Sequence, residues 1–272
     1  MNFKDDIKAI VFDYDGTLVN FDYTVSEYTR LALKKLIGKG YKLCLSSGRP
    51  CFLALKAFED VFGPYPLDYI FGCNGSEMMD CARKEVKMIN PLSAMDVRNI
   101  KEKIDCDFLT LGIYEGDHFL VDKKVTSPDC IAWLKARWIY PPIVYDFSSN
   151  DIERSKVIVL NDFGDREREI AYLESVDLRA YSASFSSPQC FEIVPKGVSK
   201  KIGVDILMKL LDCKGEQILS FGDMPNDMDM LFNSSGVIMD NAEENLKRQI
   251  PLHTSAVDKL GVYDFLSKNG LI

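Results

Sequence analysis

The chain has 272 residues, with 33 Lys and Arg against 41 Asp and Glu, a formal net charge of −8, 47% hydrophobic residues and 27% charged ones. At about 150 residues per domain this is room for two modest domains, and the composition excludes disorder and collagen-like repeats. The acidic balance argues against a nucleic-acid or anionic-membrane surface, either of which needs clustered positive charge.

The N-terminal stretch MNFKDDIKAIVFDYDG alternates charge with apolar residues and lacks the apolar segment and small-residue cleavage site of a signal peptide. No run approaches the roughly 18 apolar residues of a membrane span, so the chain reads as cytoplasmic. The first strand-like run, KAIVF, ends in Asp13-Tyr14-Asp15-Gly16. From about Val25 to Gly40 a helix is expected, with Tyr28, Leu31, Ala32, Leu36 and Ile37 at helical spacing and Gly38 and Gly40 as the stop. The run YKLCLSSGR is a second strand, and a second helix begins after Pro50 with Phe52, Leu55, Phe58 and Phe62 on one stripe. LDYIFGCNG is a third strand. Short apolar runs alternating with helices predict a doubly wound parallel α/β sheet.

From 82 to 187 the apolar runs are broken by charges, the Pro141-Pro142 pair and Ser/Asn-rich turns, as in an α+β unit. The reading is a core domain of residues 1–81 and 188–272 with an α+β domain, 82–187, inserted into it. The doubly wound pattern is expected to resume with FEIV, then a helix on Val198, Ile202, Ile206 and Leu210, then the strands QILSFGD and GVIMDN. The 8 cysteines form no C-x-x-C pair and read as buried, reduced thiols, and with only 2 histidines a His-based metal site or triad has little material.

Four carboxylates stand where such a sheet places its ligand site, outside the carboxyl ends of the strands: Asp13 and Asp15 after the first strand, Asp223 and Asp227 in F-G-D-M-P-N-D. Brought to one edge they repel, and a divalent cation is their natural neutraliser. All-oxygen ligation points to Mg²⁺. A calcium loop is the alternative for D-x-D-G, but Thr17 occupies a ligand position and Thr24 the position of the closing Glu. A plain surface turn is the other alternative, and the companion motifs weigh against it. Ser47, in L-S-S-G-R, either holds a phosphoryl oxygen with the following backbone N–H groups or is an ordinary strand-to-helix turn. Lys200, at the start of a helix in P-K-G-V-S-K-K, can offset carboxylate charge and grip a phosphate, with Lys196 a neighbouring candidate. Asn74 offers an amide to a substrate or serves the Asn-Gly turn, and Arg49 reaches a phosphate or caps a helix.

Taken together, Asp13-x-Asp15-Gly-Thr-Leu, Ser47-Gly48-Arg49, Lys200 and Gly-Asp223-x-x-Asn226-Asp227, in that order and with an insert between the second and third, resemble the haloacid dehalogenase (HAD) superfamily. Within it the chain is similar to the Cof-type sugar-phosphatase branch: C-N-G after the third strand, E-I-V-P-K-G-V-S-K before Lys201, and M-D-N-A at residues 239–242. The resemblance implies a Mg²⁺-dependent phosphomonoesterase acting on a small phosphorylated metabolite such as a sugar phosphate, through a phospho-aspartyl intermediate. Asp13 is then the nucleophile, and Asp15 protonates the leaving oxygen and later deprotonates water. The metal ligands are Asp13, the Asp15 backbone carbonyl and Asp223, with Asp227 and Asn226 orienting waters or Lys200 from behind. Ser47 and Lys200 are implied to stabilise the phosphoryl oxygens, and Gly48, Arg49, Asn74 and Asn226 to line the substrate site. The insert resembles a type IIB cap, where substrate choice is expected to reside.

Three departures stand out. Ser47 replaces a Thr and keeps its hydroxyl; Met224 stands where a Gly is common and narrows the expected cleft; and Asp258-Lys259-Leu260-Gly261-Val262 only loosely follows the acidic-Gly-Val ending. A phosphomutase or phosphotransferase would use the same residues, and a non-catalytic phosphometabolite sensor is a third class. The oligomeric state is not legible in the sequence.

Overall fold

The computed structural model describes residues 3–137, 139–161, 165–187 and 190–272. Five strands open the chain: β1 (Ala9–Phe12), β2 (Lys42–Ser46), β3 (Tyr69–Gly72), β4 (Glu77–Asp80) and β5 (Glu85–Met88). Six follow, β6 (Leu109–Glu115), β7 (His118–Val121), β8 (Ile143–Val144), β9 (Val157–Asn161), β10 (Tyr181–Ser187) and β11 (Cys190–Pro195). Three close it, β12 (Ile218–Gly222), β13 (Ser235–Met239) and β14 (Leu252–Thr254).

The chain divides into two compact units, residues 1–87 with 199–272, and residues 88–198. The sequence reading draws the same discontinuous arrangement with its boundaries at 81/82 and 187/188, residue 188 lying outside the described residues. One reason for the difference is the hairpin partner of β3: β4 pairs with it antiparallel and β5 follows at the sheet edge, so the chain stays in the first unit beyond residue 82. The other is FEIV. It does not resume the doubly wound sheet but lies in β11, antiparallel to β9 and β10. A four-residue apolar run carries no information about its partner, and only the pairing decides to which sheet it belongs.

The first unit contains one sheet in the order β14-β13-β12-β1-β2-β3-β4-β5, parallel from β14 through β3. All four residues of β1 are buried. Ile10 and Phe12 pack into one core with Leu33, Leu36 and Phe58, while Ala9 and Val11 face a second core with Phe71, Val204 and Leu207. Burial on both faces explains why the strand reads as a continuous apolar run.

Three helices flank these strands, Glu27–Leu36, Cys51–Phe62 and Lys201–Leu210, where helical spacing predicts them. The expected stripes hold in part, with Ala32, Leu36, Phe58 and Phe62 buried, and other members turn outward. In the first, Thr29, Ala32, Leu33 and Leu36 are buried while Tyr28, Leu31 and Ile37 are exposed. In the others Phe52 and Leu210 are exposed, and the core is met by the small residues Cys51, Ala54 and Ala57 and by Gly203, Val204 and Leu207. A helix lying close on a sheet favours small side chains at the contact, which an eye for large apolar residues passes over.

The second unit is an α+β layer with sheet order β10-β11-β9-β6-β7-β8, antiparallel except for β7 with β8. Its main core joins Leu109, Leu111, Ile113, Val157 and Val159 of the sheet to Val97, Ile100 and Leu173 of two helices. The helix Ala94–Lys103 starts in a capping box, with Ser93 and Asp96 satisfying each other's backbone N–H groups. Among the described residues no helix is long and apolar enough to cross a membrane.

Candidate active site

Parallel alignment of β1, β2, β3, β12 and β13 puts their carboxyl ends at one edge of the first unit's sheet, where the loops beginning at residues 13, 47, 73, 223 and 240 converge. Asp13 follows β1 directly, and its N–H donates to the Phe221 carbonyl of the neighbouring strand at 3.0 Å. The chain then folds back: Gly16 N–H donates to the Val19 carbonyl at 2.7 Å and Val19 N–H to the Tyr14 carbonyl at 3.0 Å. Gly16 is required twice over, by a φ of +87° and because a Cβ there would lie 2.3 Å from Asp223 Oδ2.

Asp13, Asp223 and Asp227 are all buried and can each offer an oxygen such that the three lie within 4.8 Å of one another. Lys200, 1% exposed at its side chain, donates from Nζ to both Asp13 Oδ1 and Asp227 Oδ1. Burial opposes its ammonium, but Asp13 and Asp227 outweigh that and hold its pKa above the ordinary lysine value. Asp227 is further tied by Oδ2, which accepts from the Asp223 and Met224 N–H groups at 2.9 Å each. Both its oxygens are therefore engaged, as suits a residue that orients Lys200 and the 223–227 loop. The Asp13 carboxylate is gripped only at Oδ1, which leaves Oδ2 without a hydrogen bond among the described residues.

Burial, then the neighbouring Asp227 charge, raises the Asp13 carboxyl well above the usual carboxylate range, with Lys200 pulling it back. Burial and Asp227 likewise push Asp223 up to about 7. Three carboxylates and one ammonium, fully ionised, leave two negative charges in a desolvated cluster built of oxygen donors. That donor set fits a hard divalent cation.

The other candidates gather at the same edge. Ser47 is buried, its N–H donates to the Phe71 carbonyl at 2.9 Å, and its Oγ accepts from the Arg49 N–H at 3.1 Å. Asn74, in the left-handed region at φ 56°, donates its N–H to the Ser47 carbonyl, and its Oδ1 accepts from Asn226 Nδ2 at 3.2 Å. Gly48 lies beside it, a Cβ there standing 3.5 Å from Asn74 Oδ1. Of the two alternatives the sequence leaves open, the turn is the one seen, and the Asn74 amide oxygen is engaged by Asn226 of the 223–227 loop. Arg49 neither caps a helix through its side chain nor stands idle. Its Nη2 and Nε donate to Asp15 Oδ1 and Oδ2 at 2.9 and 3.2 Å. Lys196 belongs to the second unit and donates to the Arg179 carbonyl. Met224, at 44% exposure, presents a long apolar side chain next to Asp223.

Thr17 and Asn241 stand inside motifs of the sequence that gave them no role. Thr17 Oγ1 donates to Asp223 Oδ1 at 2.9 Å, and Asn241 Nδ2 donates to Asp223 Oδ2 at 3.2 Å and to the Gly16 carbonyl at 3.0 Å. Asn241 Oδ1 in turn accepts from the Val257 N–H. The signal for Asn241 was available: M-D-N-A follows a strand that ends at the same sheet edge.

A family model described as haloacid dehalogenase-like hydrolase matches residues 10–266. The chain is 26% identical to a putative phosphatase of Buchnera aphidicola subsp. Schizaphis graminum, over 96% of this chain and 95% of that one. It is also 26% identical to the HMP-PP phosphatase of Escherichia coli strain K12, over 90% of this chain and 88% of that one. In structure it is similar to a HAD subclass IIB sugar phosphatase, with a TM-score of 0.78, 24% identity, and coverage of 97% of this chain and 100% of the other. The fold, the order of the four acidic, hydroxyl and basic motifs, and a family match spanning nearly the whole chain agree, and the chain belongs to the haloacid dehalogenase-like hydrolases.

Proposed function

We propose that the chain is a Mg²⁺-dependent phosphomonoesterase for a small phosphorylated metabolite, with sugar phosphates the first class to try. The observation that carries this reading is the buried Asp13–Lys200–Asp227 chain beside Asp223, with Asp13 Oδ2 unengaged. The relatives named as phosphatases support the same reaction class.

In this reading Asp13 attacks phosphorus in line, the bond to the leaving oxygen breaks, and Asp15 gives that oxygen its proton. Water then attacks the phosphorus of the aspartyl phosphate, loses a proton to Asp15, and releases inorganic phosphate with Asp13 restored. Lys200 stays on Asp13 throughout and offers its charge to the phosphoryl oxygens, as does the Ser47 hydroxyl. Asp13, Asp223 and the Asp15 backbone carbonyl would hold the Mg²⁺, which would supply charge neutralisation for the transferring phosphoryl group. Thr17 and Asn241 fix the Asp223 carboxylate from behind. The test is phosphate release from sugar phosphates, nucleotides, pyridoxal phosphate and an aryl phosphate, each with Mg²⁺ and with EDTA. Mg²⁺-dependent release is expected; silence across the panel from folded, Mg²⁺-loaded protein overturns the reading.

The cation also leaves a mark on stability. An Asp carboxyl near 3.9 in the unfolded chain and held at about 7 in the fold means that the folded state binds more protons between those values. For the metal-free protein this contribution is greatest below about pH 4 and is lost as pH rises through about 7. A bound cation favours the ionised carboxylates and reverses the trend. The melting-temperature rise from Mg²⁺ over EDTA is therefore expected to grow from pH 5 to pH 8. At 100 times Kd binding is worth about 2.7 kcal/mol, or about 5–10 °C for a domain of this size. Melting curves with Mg²⁺ and EDTA at both pH values check it, and an equal rise at both would contradict it.

A further inference from the structure

The proposed reaction needs a carboxylate that meets a leaving oxygen in one half and a water in the other, and such a group must be held in direction as well as in place. Arg49 meets that need. Its fork engages both oxygens of Asp15, at 2.9 and 3.2 Å, which fixes the plane of the carboxylate as a single donor cannot. The arginine is itself immobilised. Its side chain is 11% exposed, its Cζ lies 5.7 Å from the Tyr14 ring centroid and 5.8 Å from that of Tyr23, and Nη2 reaches Tyr23 Oη at 3.5 Å. Tyr14 is buried and anchored through its hydroxyl to the Ala57 carbonyl at 2.7 Å. The Arg49 backbone is held by Ser47 Oγ on one side and by the Cys73 N–H, at 2.8 Å, on the other.

Tyr23 is the less expected member. It has a φ of +65°, a backbone conformation that a bulky L-residue adopts only when its surroundings require it. The loop around it is closed by Asn20 N–H to the Thr24 carbonyl at 2.9 Å, Tyr23 N–H to the Asn20 carbonyl at 2.8 Å, and Asp22 Oδ1 accepting from Thr24 N–H and Oγ1. A strained, self-bonded loop thus delivers one aromatic ring to the arginine.

We infer that Arg49 is the positioning residue of the acid–base carboxylate Asp15, and that Tyr23 clamps Arg49 from the loop side. The inference rests on the phosphatase reading and assigns Arg49 a task other than phosphate contact. It makes a leaving-group prediction. An aryl oxide leaves without a proton, whereas an alkoxide needs one, so misplacing Asp15 harms the first half-reaction only for alkyl esters.

The experiment compares kcat/KM for an alkyl phosphate, the best sugar phosphate of the panel, with that for 4-nitrophenyl phosphate, together with inhibition by inorganic phosphate. Arg49→Ala is expected to lower kcat/KM about 100-fold on the alkyl ester, the scale of a misplacement near 1 Å. The aryl ester is expected to lose less than about fivefold and phosphate inhibition to change less than about threefold, since neither needs the directed proton. Arg49→Lys, which cannot fork, recovers only part of the alkyl activity. Tyr23→Ala reproduces the pattern at about a tenfold loss, Tyr23→Phe keeps the ring and stays within about threefold, and Tyr23→Ala adds nothing in the Arg49→Ala background. Equal losses on both esters, or phosphate inhibition weakened tenfold or more, overturn the assignment in favour of phosphoryl binding or simple structural support. Additive losses in the double variant overturn the clamp. Silence of the unsubstituted enzyme on both esters overturns the phosphatase reading itself, whereas an active enzyme with equal losses overturns only this inference.

Discussion

Asp13→Asn is expected to lower phosphate release by about 10⁴-fold or more, as removal of a covalent nucleophile does elsewhere, while the protein stays folded. Chemically, the amide cannot form the aspartyl phosphate, so no phosphoenzyme should be trapped by acid quench. Structurally, Asp13 carries a carboxyl that burial and Asp227 already push well above the usual range, so the isosteric neutral side chain removes a disfavoured charge. Lys200 keeps its second partner, Asp227. The melting temperature of the metal-free protein should therefore hold or rise. Turnover at the level of the unsubstituted enzyme would remove Asp13 from the chemistry and with it the proposed mechanism.

Lys200→Met is expected to damage both activity and stability, which separates it from the nucleophile. The ammonium is the counter-ion of two buried carboxylates, Asp13 and Asp227, whose side chains are 8% and 0% exposed. Removing one partner of a buried ion pair costs about 3–5 kcal/mol, because the charge left behind is unpaired. At about 2–4 °C per kcal/mol for a domain of this size, the melting temperature should fall by about 10 °C. Without the ammonium Asp13 takes up a proton more readily, so the fall should be smaller at pH 5 than at pH 8. Loss of the charge facing the phosphoryl oxygens should lower kcat by about 10³-fold. Lys200→Arg retains the charge but not the compact fit between two carboxylates, and should fall between. A Lys200→Met protein that melts with the unsubstituted one would show that the pair contributes nothing net to the fold.

The two substitutions rest on different properties of one cluster, and together they test it. Asp13 matters for the oxygen left unengaged, Lys200 for the two it engages. The same distinction applies across the site. Asp227 was legible as a motif residue, and its two oxygens are engaged by Lys200 and by the N–H groups of Asp223 and Met224. Arg49 was legible only as a cation of undecided use, because nothing in Ser-Gly-Arg says that the anion it meets is Asp15, 34 residues earlier.

Local and patterned features were readable from the residues alone. The buried parallel strands announce themselves as unbroken apolar runs, since a strand covered on both faces has no polar side to alternate with. The acidic and basic site residues are likewise visible because each follows a strand or starts a helix, where a doubly wound sheet presents its ligands. Partnership between distant segments was not readable. FEIV looks like any core strand, yet hydrogen bonding places it antiparallel to β9 and β10 in the second sheet. Tyr28, Leu31 and Leu210 of the helix stripes turn outward, and the helices bury Thr29, Ala54 and Gly203, which no stripe included. Asn241 and Tyr23 reach their positions through a loop after β13 and a left-handed turn, respectively. The residue types that can do the chemistry are thus set by the sequence read locally, whereas which of them touch is decided by strand pairing and loop closure between residues as much as two hundred positions apart, such as Thr17 and Asp223. Those contacts depend on the whole chain burying its apolar surface in one arrangement, and no short window contains that information.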